Sequence, residues 1–246
     1  MAYMKIIEKI TNFLELPPEK KHQFFQELWA FDQEIFPTGH IEQLYDYVHD
    51  VDAIAVPIVR YYHQGRLIGQ NIIPILKMPL QGREIFIVNS RAGFLEEYRR
   101  RNLSLSSAIR IVLKYRLKHP TTPMWFVPTI MQPKVYMLFA SRSKQFFPRE
   151  SVQMPSDHLA VLELMKNRHS DLQQRGQGIY IHACDLPKFS AEHLIRLRNK
   201  SETHVNYFMK HVPDYFDGYG LMCVCDLSLK NILEVTINLA TNRRLY

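Results

Sequence analysis

Cysteine, glycine and long apolar runs are all scarce in this sequence, and each shortage excludes something. The three cysteines, Cys184, Cys223 and Cys225, are too few and odd in number for a disulfide framework in 246 residues, so the chain suits a reducing compartment. Cys223 and Cys225 lie one residue apart within Leu221-Met222-Cys223-Val224-Cys225. On a strand that spacing puts both thiols on one face, as buried core thiols rather than as a metal knuckle. With nine glycines there is no Gly/Ser linker to mark a domain boundary. No apolar stretch reaches bilayer length, because Ile54 to Ile75 is interrupted by Arg60, His63, Gln64, Arg66 and Gln70. Met1 to Leu14 lacks a signal peptide's apolar run and cleavage site, so the expected location is the cytoplasm. Also missing are Gly-x-Ser-x-Gly, His-Glu-x-x-His, the Gly-Lys-Ser/Thr phosphate loop and Cys-x-x-Cys. The eleven histidines are scattered, and the spacing of His40, His49 and His63 suggests no metal site.

The chain does contain an ordinary globular balance, 46% hydrophobic and 22% charged, with a formal charge of +7. That charge is compatible with nucleic acid, anionic lipid or a polyanionic cofactor. The densest basic cluster, Arg99-Arg100-Arg101, falls between a predicted strand and a predicted helix. A nucleic-acid binder would instead spread its charge along an exposed stripe. The length fits one elaborated domain, with N-terminal helices over 1–50, a core over 51–150 and a C-terminal part over 151–246.

Hydrophobic spacing predicts helices over 3–16, 18–35 and 41–49, the second opened by Pro17-Pro18. Residues 53–62 and 67–76 read as a hairpin around His63-Gln64-Gly65-Arg66, with Pro57 and Pro74 marking edges or bulges. Glu84 to Asn89 is apolar on both faces and reads as a central strand. A connector follows, then a helix over 103–119 with an apolar face of Leu105, Ala108, Ile109 and Val112. Met124 to Pro128 reads as a strand. Pro133 opens a helix carrying Val135, Leu138, Phe139 and Phe146 along one side. Helices over 158–174 and 190–211, strands over 178–184 and 219–225, and a tail of either type over 231–239 complete the pattern.

Residues 99–108 have the layout of an anion site. A strand ends, three arginines supply attraction, and Asn102, Ser104, Ser106 and Ser107 flank a helix start where backbone amides and the helix dipole favour phosphate. A solvated basic loop capped by Ser104 would read the same way. The stretch Tyr98-Arg99-Arg100-Arg101-Asn102-Leu103-Ser104-Leu105-Ser106-Ser107-Ala108 resembles the pyrophosphate-binding signature of GNAT acetyltransferases, Gln/Arg-x-x-Gly-x-Gly/Ala. Arg99 takes its first position. Asn102 and Ser104 stand where the glycines usually are; Asn tolerates a left-handed backbone and Ser is small.

The resemblance implies an α/β (α+β) fold, with a mixed, mostly antiparallel central sheet flanked by helices and two splayed central strands. It also implies acetyl-CoA or another acyl-CoA as co-substrate and an amine of a small molecule or protein as acceptor. The cofactor would lie on Ile87, Val88, Asn89, Arg99, Arg100, Arg101, Asn102, Leu103 and Ser104. By the same resemblance Tyr136, on the helix after the splayed strand, would protonate the departing thiolate. A packed surface tyrosine is the alternative. Glu84, at the start of the central strand, is the first candidate base, with a pKa raised by desolvation. Glu96 and Glu97, beside the arginines, read as solvated ion-pair partners. Tyr215, Phe216 and Asp217 would line the acceptor side, and no metal is expected. Two further readings stay open: an acyl-CoA-binding module without turnover, and a basic-surface nucleic-acid binder.

Overall fold

Two Gln-Gly turns fold the middle of the chain back on itself. Gln64 and Gly65 sit at φ +53° and +80°, Gln81 and Gly82 at +50° and +78°. Two successive left-handed residues make a two-residue turn whose twist matches the flanking strands. The first turn joins β3 (Pro57–His63) to β4 (Arg66–Ile72), and the second joins β5 (Ile75–Leu80) to β6 (Arg83–Val88). Pro57 is the first residue of its strand and Pro74 falls between β4 and β5, where neither breaks a ladder.

The computed structural model describes residues 5–99, 103–169, 171–183 and 202–245. The chain divides into two compact units, Met1–Met78 with Phe86–His119, and Pro79–Ile85 with Pro120–Tyr246.

The first unit is built on a four-stranded sheet in the order β1-β3-β4-β7. β1 (Ile7–Asn12) pairs antiparallel with β3, from Ile7↔Tyr62 to Asn12↔Pro57. This corrects the helix expected over 3–16. The β-branched Ile7, Ile10 and Thr11 suit a strand, and the edge of β3 offers that strand its backbone partners. β7 (Arg91–Phe94) pairs with β4 from Gly69↔Phe94 to Ile72↔Arg91, in a stretch the sequence reads as connector. β2 (Ala53–Ala55) pairs with β5.

Helices α1 (Pro18–Ile35) and α2 (Ile41–Val48) form where expected. Phe25 and Leu28 of α1 and Leu44 and Val48 of α2 close a core with Phe13, Val56, Ile58 and Ile72. α3 (Leu103–Lys118) buries Ser107, Ile111, Val112 and Arg116. Its inward face is therefore turned from the Leu105–Ala108–Ile109 stripe, with Val112 common to both.

The second unit contains β8 (Met124–Phe126), β9 (Thr129–Ile130), α4 (Pro133–Ala140), β10 (Phe146–Phe147), α5 (Ser156–Lys166), β11 (Gln173–Gly176) and β12 (Ile179–Ala183). Then come α6 (Thr203–His211), β13 (Tyr219–Met222), β14 (Val224–Asp226) and α7 (Leu229–Ala240). β8–β9 and β13–β14 form one antiparallel ribbon that changes sheets midway. Cys225↔Phe126 lies in one sheet and Leu221↔Ile130 in another, and Cys223 N bonds Pro128 O at 2.9 Å at the crossing. Pro128 has no N–H to return, so the ladder lapses there.

Two expectations change in this unit, and one left open is decided. α5 ends at Lys166 and Gln173–Gly176 is a strand paired with β12. Phe146 belongs to β10, which pairs with β14. The tail is helical, capped by Ser228 accepting from Asn231 N, as serine before a helix favours. Cys223 and Cys225 are buried, and burial pushes both thiols up, Cys225 to about 12, so they are core thiols. Cys184 and most of the helix expected over 190–211 lie outside the described residues. The described part is a mixed α/β fold, its sheets flanked by helices. No helix among the described residues is long and apolar enough to cross a membrane.

Candidate functional site

The expected cofactor residues fall in the first unit, where β7 leads through a 3₁₀ turn (Glu96–Tyr98) and Arg99 toward α3. The strand entering this turn is therefore β7, whereas Ile87 and Val88 close β6 and Asn89 begins the bend between the two. Ile87 and Val88 are core residues. β7 is terminal in its sheet, bonded to β4 on one side, so alternate backbone groups point away from the ladder. One of them, the Phe94 carbonyl, accepts from Arg99 Nε at 3.0 Å. Arg100, Arg101 and Asn102 lie outside the described residues.

A buried polar chain seats the first turn of α3. Asn71 on β4 is fully buried and must find partners. Its Nδ2 donates to Ser104 O at 3.3 Å, and its Oδ1 accepts from Ser90 Oγ at 2.8 Å. Ser90 N in turn donates to Asn89 Oδ1 at 2.7 Å. Ser107 Oγ donates to Ser104 O at 3.1 Å and also meets the Tyr61 hydroxyl. Burial pushes the Tyr61 phenol up to about 12, against a smaller opposing effect of the Ser107 hydrogen bond. Asn89 and Ser104, eighteen and thirty-three residues from Asn71, are thus joined through Ser90 and Asn71. Sequence reasoning missed this chain, whose only local signal is two polar residues, Gln70 and Asn71, inside a strand pattern.

The turn is fastened from other directions too. Asp32 of α1, 1% exposed, takes both Nε and Nη2 of Arg91 at 3.0 and 2.6 Å, and the Arg91 guanidinium stands 4.8 Å from the Phe36 ring. Tyr98 OH meets His63 Nδ1 at 2.7 Å. Glu97 faces Arg66 at 3.7 Å on the surface, which matches its reading as a solvated ion-pair partner. Gly69 lies beneath Phe94, where an added Cβ would come within 2.2 Å of the ring.

The remaining expected residues lie in the second unit. Tyr136 is fully buried among Ile130, Phe146, Phe208 and Val212. Its hydroxyl donates to Pro148 O at 2.6 Å, and burial, with Cys223 and Tyr207 adding, pushes the phenol far above its ordinary value. That is the setting of a core tyrosine that keeps its proton. Glu84 is exposed next to the Gln81-Gly82 turn, outside the desolvated interior that its role as a base called for. Of the acceptor residues, Tyr215 is core and Asp217 is exposed. Phe216 lines an open groove of about 580 Å³ with Arg175, Lys210, His211, Pro213 and Asp214. Arg175 grips Asp214 there through two bonds of 2.6 and 2.5 Å and holds that carboxyl below its usual value.

No family model matches the sequence, and no curated protein matches it. Among solved structures the chain is similar to a conserved Enterococcus faecalis protein described as a probable N-acyltransferase. That match has 10% identity and a TM-score of 0.37, covering 57% of this chain but only 33% of that one. It is similar also to the Escherichia coli GNAT family N-acetyltransferase YhbS in complex with CoA, at 14% identity and a TM-score of 0.40 over 57% of this chain and 71% of that one. Arabidopsis thaliana NAA60 in complex with acetyl-CoA matches at 18% identity and a TM-score of 0.38, over 61% of this chain and 93% of that one. These matches run over 57–61% of this chain.

Proposed function

We propose that this chain is a divergent GNAT-type protein that binds an acyl-CoA, most simply acetyl-CoA, and passes the acyl group directly to an amine. The observation that carries the reading is β7, an edge strand whose end is tied to Arg99 through the Phe94 carbonyl and which leads into α3. A diphosphate is held at a helix opening because the first-turn amides have no intrahelical partner and the dipole favours an anion. Arg99, Arg100 and Arg101 add long-range attraction, and Leu103 and Ser104 supply first-turn amides. The pantetheine arm, with two amides of its own, pairs with the outward backbone groups of Arg91 to Phe94 as an added strand does. This moves the arm from the Ile87–Asn89 segment to the strand that enters the turn.

In the transfer the amine nitrogen bonds the thioester carbon, the C–S bond breaks, and the amine loses a proton as the thiolate gains one. A second reading, a binding module without turnover, is favoured by the core setting of Tyr136 and the exposure of Glu84. The nucleic-acid reading has less support, since the three arginines are grouped at one turn rather than spread along an exposed stripe.

The test is thermal stability with CoA and acetyl-CoA. A ligand that binds only the folded state raises the melting temperature. Arg99→Glu with Ser104→Asp abolishes that rise, while the new carboxylate in the first turn of α3 suits the helix dipole and spares the fold. A rise that survives both changes refutes the site. Acetyl-CoA consumption with an amine panel separates the transferase from the binding module.

A further inference from the structure

The step along one helix and the step along one strand bring two histidines and a carboxylate together. On α5, Glu163 meets the Tyr180 hydroxyl and Lys166 Nζ stands 5.2 Å from the Tyr180 ring. Three residues beyond Lys166 comes His169, whose amide still bonds Lys166 O at 3.0 Å. Two residues beyond Tyr180, on the same face of β12, comes His182. The chain past α5 and the strand advance in step, so the next pair to meet is His169 with His182, rings 5.2 Å apart. Asp171 completes the group, with Oδ2 2.9 Å from His182 Nε2. One potential ligand atom from each of the three lies within 4.8 Å of the others, and among the described residues no other such group of His, Cys, Asp and Glu occurs.

We infer that His169, Asp171 and His182 bind a divalent transition-metal ion of the zinc class. Two imidazoles and a carboxylate are a ligand set for such ions, at about 2.0–2.2 Å from the metal. A tetrahedron of that size separates its ligand atoms by about 3.3 Å, a modest contraction for side chains that are half-buried or exposed. The ion takes the place of the hydrogen between His182 Nε2 and Asp171 Oδ2, and the imidazole then carries its hydrogen on Nδ1. Three protein ligands leave a fourth position for water. The bound ion clips the end of α5 to the β11–β12 hairpin.

The experiment uses the full chain freed of metal by a chelator and titrated with Co²⁺, followed by visible absorption and melting temperature. One Co²⁺ per chain, visible bands of a low-symmetry site, displacement by Zn²⁺ and a rise of several degrees in melting temperature are expected. Asp171→Asn and His182→Ala each weaken binding by at least about tenfold, while His63→Ala, in the other unit, leaves it unchanged. Asp171 is exposed, so the metal-free Asp171→Asn protein melts as the parent does, and its loss of binding reports the ligand rather than the fold. No binding by the parent chain, or binding by both variants as tight as the parent's, overturns the assignment.

Discussion

Single side chains here are held by the polar partners that burial demands. Asp32 is secured by two hydrogen bonds to Arg91, and removing one member of such a buried pair strands the other, at a cost of about 3 kcal/mol. Tyr136 shows the same logic with a neutral group. Its hydroxyl has one polar contact, the Pro148 carbonyl, so Tyr136→Phe leaves that carbonyl without its donor and lowers stability by about 1 kcal/mol. Turnover per folded molecule stays at the parent value if the phenol only packs. Denaturant unfolding beside acetyl-CoA kinetics separates the cases, and a large loss of turnover at unchanged stability would restore the acid role.

At the level of elements, the proposed site rests on β7 and the start of α3. β7 is short because it has few residues to pair, and it holds position because Phe94 lies across Gly69. Gly69→Ala would push a methyl into that ring, an overpacking that costs roughly 1–3 kcal/mol. Since the Phe94 carbonyl is also the anchor of Arg99, the same change is expected to shrink the CoA-dependent rise in melting temperature. A rise equal to the parent's would show that β7 and the anion site are not coupled. The phase of α3 follows from this seating too. Ser107 turns inward because Tyr61 and the Ser104 carbonyl meet it there, although leucine and isoleucine spacing alone favours another face.

Across the described residues, the histidines held below their ordinary titration range all lie in the second unit. His158, His204 and His211 of the second unit are all held below the ordinary histidine value, chiefly by burial, with Lys210 adding to it at His211. The unfolded chain therefore takes up protons at these positions as pH falls below about 6.5, while the folded chain does so only at lower pH. Stability is complete above that value and is lost as pH falls through the interval between the unfolded and folded values. The melting temperature should drop from about pH 7.5 to about pH 5.5. His158→Gln, which can still donate to the Gln145 carbonyl now bonded at 3.1 Å, should flatten the dependence. An equal slope in parent and variant would remove His158 from the cause.

What the sequence by itself determined are features written in a few adjacent residues. The Gln64-Gly65 turn follows from backbone freedom at glycine, the start of α1 from its prolines, and the extent of α3 from helical spacing. The buried state of Cys223 and Cys225 follows from their apolar company. Arg99 and Ser104 could be singled out because a basic turn before a helix is a local signal. Tertiary structure alone decided the rest: that Ile7–Asn12 is a strand, that Arg91–Phe94 is one too, that Asn89 is joined to Ser104 through Asn71, that the Tyr136 hydroxyl is spent on Pro148, and that His169, Asp171 and His182 meet. Each of these depends on a partner distant along the chain. Short windows encode backbone angles and periodicity, whereas a strand's pairing edge and a polar group's buried partner are chosen only when the whole chain satisfies its backbone and excludes water.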